Sequence, residues 1–245
     1  MKAKFWLSLT FVIALGIFSL PALEGSPREI SWWDQLVRLA HDFFPPDFSI
    51  WQDITEGLKE TFQIAYWATG LALIFSLPVS VLAAKKTSRP WLSQITLLVI
   101  SAIRTIPSLI WAIIAVSLIG PYPLAGVLAL TLYSVSYLAK FFTDAIDSMD
   151  FHSYQWLRLH GHSQVLSFYY GVWPEIKGLL LSQTLWMFEY NIRSAAIIGY
   201  VGAGGLGLKL HTYQEFGQWD RFSAVLIIIF VIVVIMEQIS RRLKK

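Results

Sequence analysis

Leu226-Ile-Ile-Ile-Phe-Val-Ile-Val-Val-Ile235 is an unbroken apolar stretch inside a run reaching from Phe222 to Ser240. A helix rises 1.5 Å per residue, so about 20 mostly apolar residues cross the roughly 30 Å of bilayer hydrocarbon. The run predicts a membrane span at 222–240. Working outward, Ile64 to Ala84 carries no charged residue, and neither does Thr105 to Ala139. The second is too long for one crossing, and Gly120-Pro121-Tyr122-Pro123 interrupts it, because two prolines and a glycine cannot continue a helix. Spans are therefore predicted near 60–84, 91–119 and 123–142. Residues 174–201 are the least apolar candidate, with Glu175, Lys177, Glu189 and Arg193. A weak span of this kind belongs inside a bundle, away from lipid.

Near 5–23 the sequence supports two readings. Lys2 and Lys4 before an apolar run, with Leu20-Pro-Ala22 at its end, resemble a signal peptide. The length of the run favours a retained helix, which would bring the spans to six. Composition agrees with an all-α membrane protein built as one domain over 1–245: of 245 residues 56% are apolar and 14% charged, against about 25% charged in soluble domains. With no cysteine, the chain has no disulfide, thiolate metal site or Cys nucleophile.

Placing both termini in the cytoplasm puts Lys2, Lys4, Lys85, Lys86, Arg89, Lys140, Arg158, Arg241, Arg242, Lys244 and Lys245 on that side. Arg28, Arg38, Lys209 and Arg221 then face outward, with Lys59 at the outer edge of the span near 60–84, so the excess lies inside, as the positive-inside rule requires. The first outer loop is acidic, and within it Trp33, Leu36, Val37, Ala40 and Phe44 recur at helical spacing. Two readings stay open there: a helix lying in the membrane interface, anchored by Trp32, Trp33 and Trp51, or a loop helix packed on the bundle.

Residues 143–173 are too polar to cross, yet their apolar positions keep helical spacing. One or two short helices ending at Gly161 and Pro174 are predicted on the cytoplasmic side. The chain has no G-x-x-x-x-G-K-[ST] phosphate loop, so it cannot itself hydrolyse ATP. A short amphipathic element protruding from the membrane suits docking of a separate motor.

Here the sequence resembles a known family. Counted from Gly161 and Pro174, the cytoplasmic segment keeps the spacing of the EAA-x3-G-x9-I-x-L-P pattern of ABC-importer permeases, with Gln155, Trp156 and Leu157 at the EAA positions. Arg104-Thr-Ile-Pro-Ser-Leu-Ile-Trp-Ala112 resembles a block of phosphonate-importer permeases, with Ser108 where Glu is usual. Trp186-Met-Phe-Glu-Tyr-Asn-Ile-Arg193, followed by Ile198-Gly-Tyr-Val-Gly-Ala-Gly-Gly-Leu-Gly207, resembles a second block. The resemblance covers about 57–240. It implies a type I importer permease fold and import of phosphonate or a related phosphorus oxyanion across the bacterial inner membrane. It also implies a second permease copy, a cytoplasmic ABC ATPase dimer that binds ATP and Mg, and an external substrate-binding protein. Permeases of the methionine or betaine type are the alternative within transport. The altered Gln155 and Trp156 leave open a degenerate, non-transporting partner subunit. No cofactor, metal or nucleic acid is expected in this chain.

Four side chains are candidates for the substrate pathway. Arg104 falls midway along the span predicted at 91–119, where an arginine costs roughly 2.5–3.5 kcal/mol on insertion scales. It is read either as an anion-attracting group or as a structural arginine. Glu189 and Arg193, four apart, share a helix face and neutralise each other, or else leave Arg193 free for substrate. Asn191 would hydrogen-bond between helices. Gly202, Gly204, Gly205 and Gly207 match G-x-G-x-x-G, but no strand–helix–strand unit surrounds them, which excludes a dinucleotide site. These glycines would let the chain leave the helix as an outer gate or as a plain external turn. His152, His160 and His162 lack the carboxylate or Cys that would complete a metal set. No catalytic constellation is present, and no enzymatic activity is expected of this chain.

Overall fold

The structure is a computed structural model that describes residues 31–243 together with Leu9, Thr10, Ile13 and Ile17. Most of the helix expected near 5–23 lies outside the described residues. The chain divides into two compact units, Met1–Asp42 and Phe43–Lys245. The described part of the first is largely helix α1 (Trp32–Phe43), which carries Trp33, Leu36, Val37 and Ala40 at the predicted helical spacing.

The second unit contains the bundle. Its helices are α2 (Trp51–Ala83), α3 (Pro90–Thr105), α4 (Ser108–Ile119), α5 (Pro123–Ser148), α6 (His152–Leu159), α7 (Gln164–Gly171), α8 (Trp173–Ile198), α9 (Gly205–Glu215) and α10 (Trp219–Leu243). Among the described residues, three helical stretches are long and apolar enough to cross a membrane: Phe48–Ala83, Pro123–Ser148 and Trp219–Arg242. The α3–α4 pair makes a fourth if its bent halves count as one span. Helix α8 has 26 residues, about 39 Å at 1.5 Å per residue, so it is long enough, but its charges lower its hydropathy.

Helix α2 organises the packing. Thr61, Ala65, Ala68, Ala72, Ser76, Ser80 and Ala83 follow a helical stripe and are all buried. Small residues let backbones approach closely, the usual means of joining helices in lipid, where apolar contact alone gives little preference. This stripe receives α5 and α8. Thr61, Thr69, Ser76 and Ser80 turn their hydroxyls back onto carbonyls of their own helix. Pro78 sits inside α2 without breaking it, flanked by Ser76 and Ser80.

Three boundaries differ from the sequence expectation. Pro107 splits the helix predicted at 91–119: α3 and α4 meet at 85°. Ile106, the residue before the proline, is extended (φ −86°, ψ 120°), as steric clash with the proline ring demands. Helix α5 runs to Ser148, beyond 142, because Thr143, Ala145 and Ile146 are buried against the bundle. Its polar residues find local partners: Asp144 pairs with Lys140, and Asp147 accepts from the Lys86 N–H at 3.3 Å. Finally, α8 does not continue helically to 201. After a π-helical turn at Gly199–Ala203 the chain forms the separate helix α9, where the sequence suggested a gate or a turn.

That reversal depends on backbone contact. A methyl group added at Gly207 would lie 2.0 Å from the Ala196 carbonyl oxygen and 2.8 Å from Gly199 Cα. Gly207→Ala is therefore expected to lower stability by about 3 kcal/mol or more, at the upper end of overpacking effects. Gly178, also helical, has open space where a methyl would go. Gly178→Ala should leave the unfolding midpoint in detergent unchanged or higher.

Candidate functional site

The break at Pro107 decides the setting of Arg104. Arg104 lies in the last turn of α3, partly exposed, two residues before the extended Ile106. The indole N–H of Trp111 donates to the Ile103 carbonyl at 3.2 Å and fixes the angle between the two halves. Among the described residues Arg104 has no carboxylate or hydrogen-bond partner. Helix α3 packs on α5, with Ile100 and Ala139 in one buried cluster, and α5 carries Tyr133 and Tyr137.

Those tyrosines belong to an aromatic wall that sequence reasoning passed over. Tyr133 stacks on Tyr190 of α8 (5.5 Å between ring centres), Tyr190 on Trp186 (5.8 Å), and Trp186 on Tyr137 (5.1 Å). Neighbouring ring planes differ by 17° to 20°. The signal was present: Tyr133/Tyr137 and Trp186/Tyr190 are each four apart, hence each pair lies on one helix face.

Asn191 lies elsewhere, in the core. It is fully buried; its amide donates to Thr69 Oγ1 at 2.9 Å and accepts from Ser134 Oγ at 3.0 Å. Helices α2, α5 and α8 are clamped by this one side chain, so Asn191 holds the bundle together and does not face an open path. Glu189 is buried and pairs with Arg193 at 3.0 Å, not with Arg104. Arg193, more exposed than its partner, lines an otherwise apolar cleft of about 490 Å³ between α4, α8, α9 and α10.

The glycine segment is pinned to α2. Gly202, Gly204 and Gly205 all have positive φ, and Gly204–Gly205 starts α9. Glu60 Oε2 accepts from the Gly205 N–H at 2.8 Å, and Thr61 Oγ1 from the Leu206 N–H at 3.0 Å. Two otherwise orphaned N–H groups of the helix start are thus satisfied by side chains of α2. One turn and more along α9, Lys209 Nζ and Tyr213 Oη both donate to Asp53, at 2.8 and 2.6 Å. Burial and that bond to Asp53 push the Tyr213 phenol pKa upward.

The polar arm comprises α6 and α7. Asp150 accepts from the His152 N–H at 3.0 Å. At the other end of α6 the His162 N–H reaches the Leu157 carbonyl and the Gly161 N–H the Arg158 carbonyl, with Gly161 at φ +82°, a Schellman closure. Ser163 then caps α7, accepting from the Leu166 N–H at 3.2 Å. Gln155, Trp156 and Gly161 are exposed and Leu157 is half-buried, while Pro174 stands in the first turn of α8. Leu159, Val165, Tyr169 and Tyr170 add exposed apolar surface. His160 stacks on Trp156, with ring centres 3.9 Å apart.

Comparison with known proteins places this architecture. Residues 76–245 match the family described as binding-protein-dependent transport system inner membrane component. The chain is 32% identical over 211 residues to a phosphite transport system permease protein of Stutzerimonas stutzeri, covering 86% of this chain and 77% of that protein. It is also 32% identical over 215 residues to a phosphate-import permease protein of Mycolicibacterium smegmatis, covering 86% of this chain and 40% of that one. In three dimensions it resembles a chain of the MetNI methionine ABC transporter in an inward-facing conformation, with TM-score 0.67, 20% identity, and coverage of 78% of this chain and 94% of that chain. That likeness concerns the fold, a type I importer permease bundle. The chain belongs to the family of binding-protein-dependent transport system inner membrane components.

Proposed function

We propose that 1–245 acts as a single permease domain of an ATP-driven importer carrying phosphonate or a related phosphorus oxyanion across the inner membrane. The observation that carries this reading is Arg104: a half-buried arginine at the end of α3, without an ion pair among the described residues. Intramembrane charge left uncompensated by protein marks a substrate or ion path, and a cation there selects anions. The relatives named for phosphite and phosphate carry substrates of that chemistry.

A second copy of the chain completes the pathway, an external binding protein delivers the substrate, and a cytoplasmic ATPase pair binding ATP and Mg supplies the force. Both termini face the cytoplasm. The arm α6–α7 docks the ATPase through Gln155, Trp156 and Leu157, with the Gly161 turn and Pro174 fixing its angle. Its caps are local, which makes it a stiff lever despite the replacement of the usual EAA residues. Gly202, Gly204, Gly205 and Gly207 shape the outer gate. Arg193 is the counter-ion of Glu189, with substrate contact left to Arg104.

Reconstitution with the ATPase and binding protein tests the function: ATP-dependent uptake of phosphite or methylphosphonate is expected, with none of methionine or glycine betaine. An ATPase that never co-purifies would favour the degenerate-subunit reading instead. Because the chain lacks cysteine, Val165→Cys offers a single label site, expected to react with impermeant maleimide only from the cytoplasmic side. Arg193→Gln strands the buried Glu189 carboxylate. It should lower the unfolding midpoint, since a buried charge that loses its partner costs about 3–5 kcal/mol, while Glu189→Gln/Arg193→Gln together should recover most of that loss.

A further inference from the structure

We propose that α1 is an interfacial anchor, lying among the lipid headgroups at the Trp219 end of α10 with its apolar face turned into the acyl boundary. This decides between the two readings the sequence leaves open for the segment, in favour of lipid. The leaflet follows from the proposed orientation, in which that end faces outward; contact with lipid does not depend on it.

The helix is divided cleanly. At 100° per residue, Leu39, Trp32, Phe43, Leu36, Trp33 and Val37 follow one another around an arc of ~160°. Asp34, Gln35, Arg38, His41 and Asp42 fill the opposite side. No residue of α1 is buried, and Trp32, Trp33, Leu36, Val37 and Leu39 are all exposed. A contiguous apolar face of this kind is rarely left to water.

Its last residue is fixed at the edge of a bilayer span. Phe43 belongs to the same compact unit as the bundle. Its ring stacks on Trp219 at 5.7 Å and tilts against Phe222 at 5.6 Å, and its carbonyl accepts from Ser223 Oγ at 2.7 Å. Just beyond, the Asp47 N–H donates to the Asp220 carbonyl at 3.1 Å, and the Asp47 carboxylate pairs with Arg221 at 3.2 Å. Trp219 opens α10, which is long and apolar enough to cross the membrane. The end of α1 is therefore held where hydrocarbon gives way to headgroups. Its 12 residues rise ~18 Å in all, so the whole helix stays within that distance of the boundary.

The chemistry of the face selects lipid over a protein groove. An apolar arc this wide exceeds the narrow seam by which one helix meets another, and suits a fluid surface. Tryptophan favours the headgroup level, where its ring is half in hydrocarbon; Trp32 and Trp33 lie edge to face there, and the exposed Trp51 opens α2 nearby in sequence. The polar side sets Asp34 and Asp42 against Arg38, so it has no basic excess to seek anionic lipid. Apolar burial supplies the attachment, and salt should not weaken it.

The chain has no cysteine, so single-cysteine variants of the full protein can be labelled with a fluorescent maleimide and reconstituted in phosphatidylcholine–phosphatidylglycerol vesicles. Leu36→Cys and Ala40→Cys report on the apolar face, Asp34→Cys and Arg38→Cys on the polar one; all four positions are exposed. The first pair should lose most of its emission to brominated phospholipid and little to iodide supplied on both sides of the membrane. The second pair should show the reverse. The same pattern is expected in phosphatidylcholine alone and at high salt. Apolar-face labels quenched by iodide as strongly as the polar ones would place α1 in water and overturn the proposal. Labels shielded from both quenchers would overturn it in favour of a protein cover, and a disulfide between two Leu36→Cys chains would identify that cover as a second copy. Failure of ATP-dependent oxyanion uptake would count against the importer reading and leave the anchor standing.

Discussion

Inside a bundle this apolar a buried polar group needs a partner, and where helices are joined the chain supplies it from distant segments. Asn191 is the central case. Fully buried, its amide is satisfied because Thr69 and Ser134 arrive from two other helices. Those two hydrogen bonds set the rotation and depth of α2, α5 and α8 together, where apolar packing alone would tolerate sliding. Trp186, Tyr190 and the Glu189–Arg193 pair flank Asn191 on the same helix, so the clamp also positions them.

Polar satisfaction likewise explains why two prolines act differently. Pro78 lies within a helix packed along its stripe of small residues, and Ser76 and Ser80 donate to the nearby Leu73 and Leu77 carbonyls. Pro107 has no such support; the chain bends by 85° and leaves α3 with its charge at the end. A bend placed there turns a costly mid-helix arginine into one at a helix terminus, beside irregular backbone. Non-helical backbone at such depth persists only where protein or a cavity surrounds it.

Much of the bundle was legible in the sequence. Apolar runs located the long helices α2, α5 and α10, Gly120-Pro-Tyr-Pro123 marked the turn between α4 and α5, and the spacing around Gly161 marked the arm. Helix α9 was not legible, because its start is stabilised by Glu60 and Thr61, more than 140 positions away. A run of glycines with no local cap reads as a turn. The aromatic wall was hidden for a similar reason: each pair of rings is a local pattern, but their meeting across α5 and α8 is tertiary. Pro107 was visible, and what concealed its effect was the uniformly apolar sequence on either side.

The attachment of α9 to α2 has a mechanical corollary. Asp53, Glu60 and Thr61 seize the short helix at its first turn and again more than one turn further on, and two separated fastenings fix orientation where one would allow swivelling. The covering piece at that end is therefore bolted to the longest strut of the frame. Whatever tilts α2 must carry α9 along as one rigid panel, without any flap of its own.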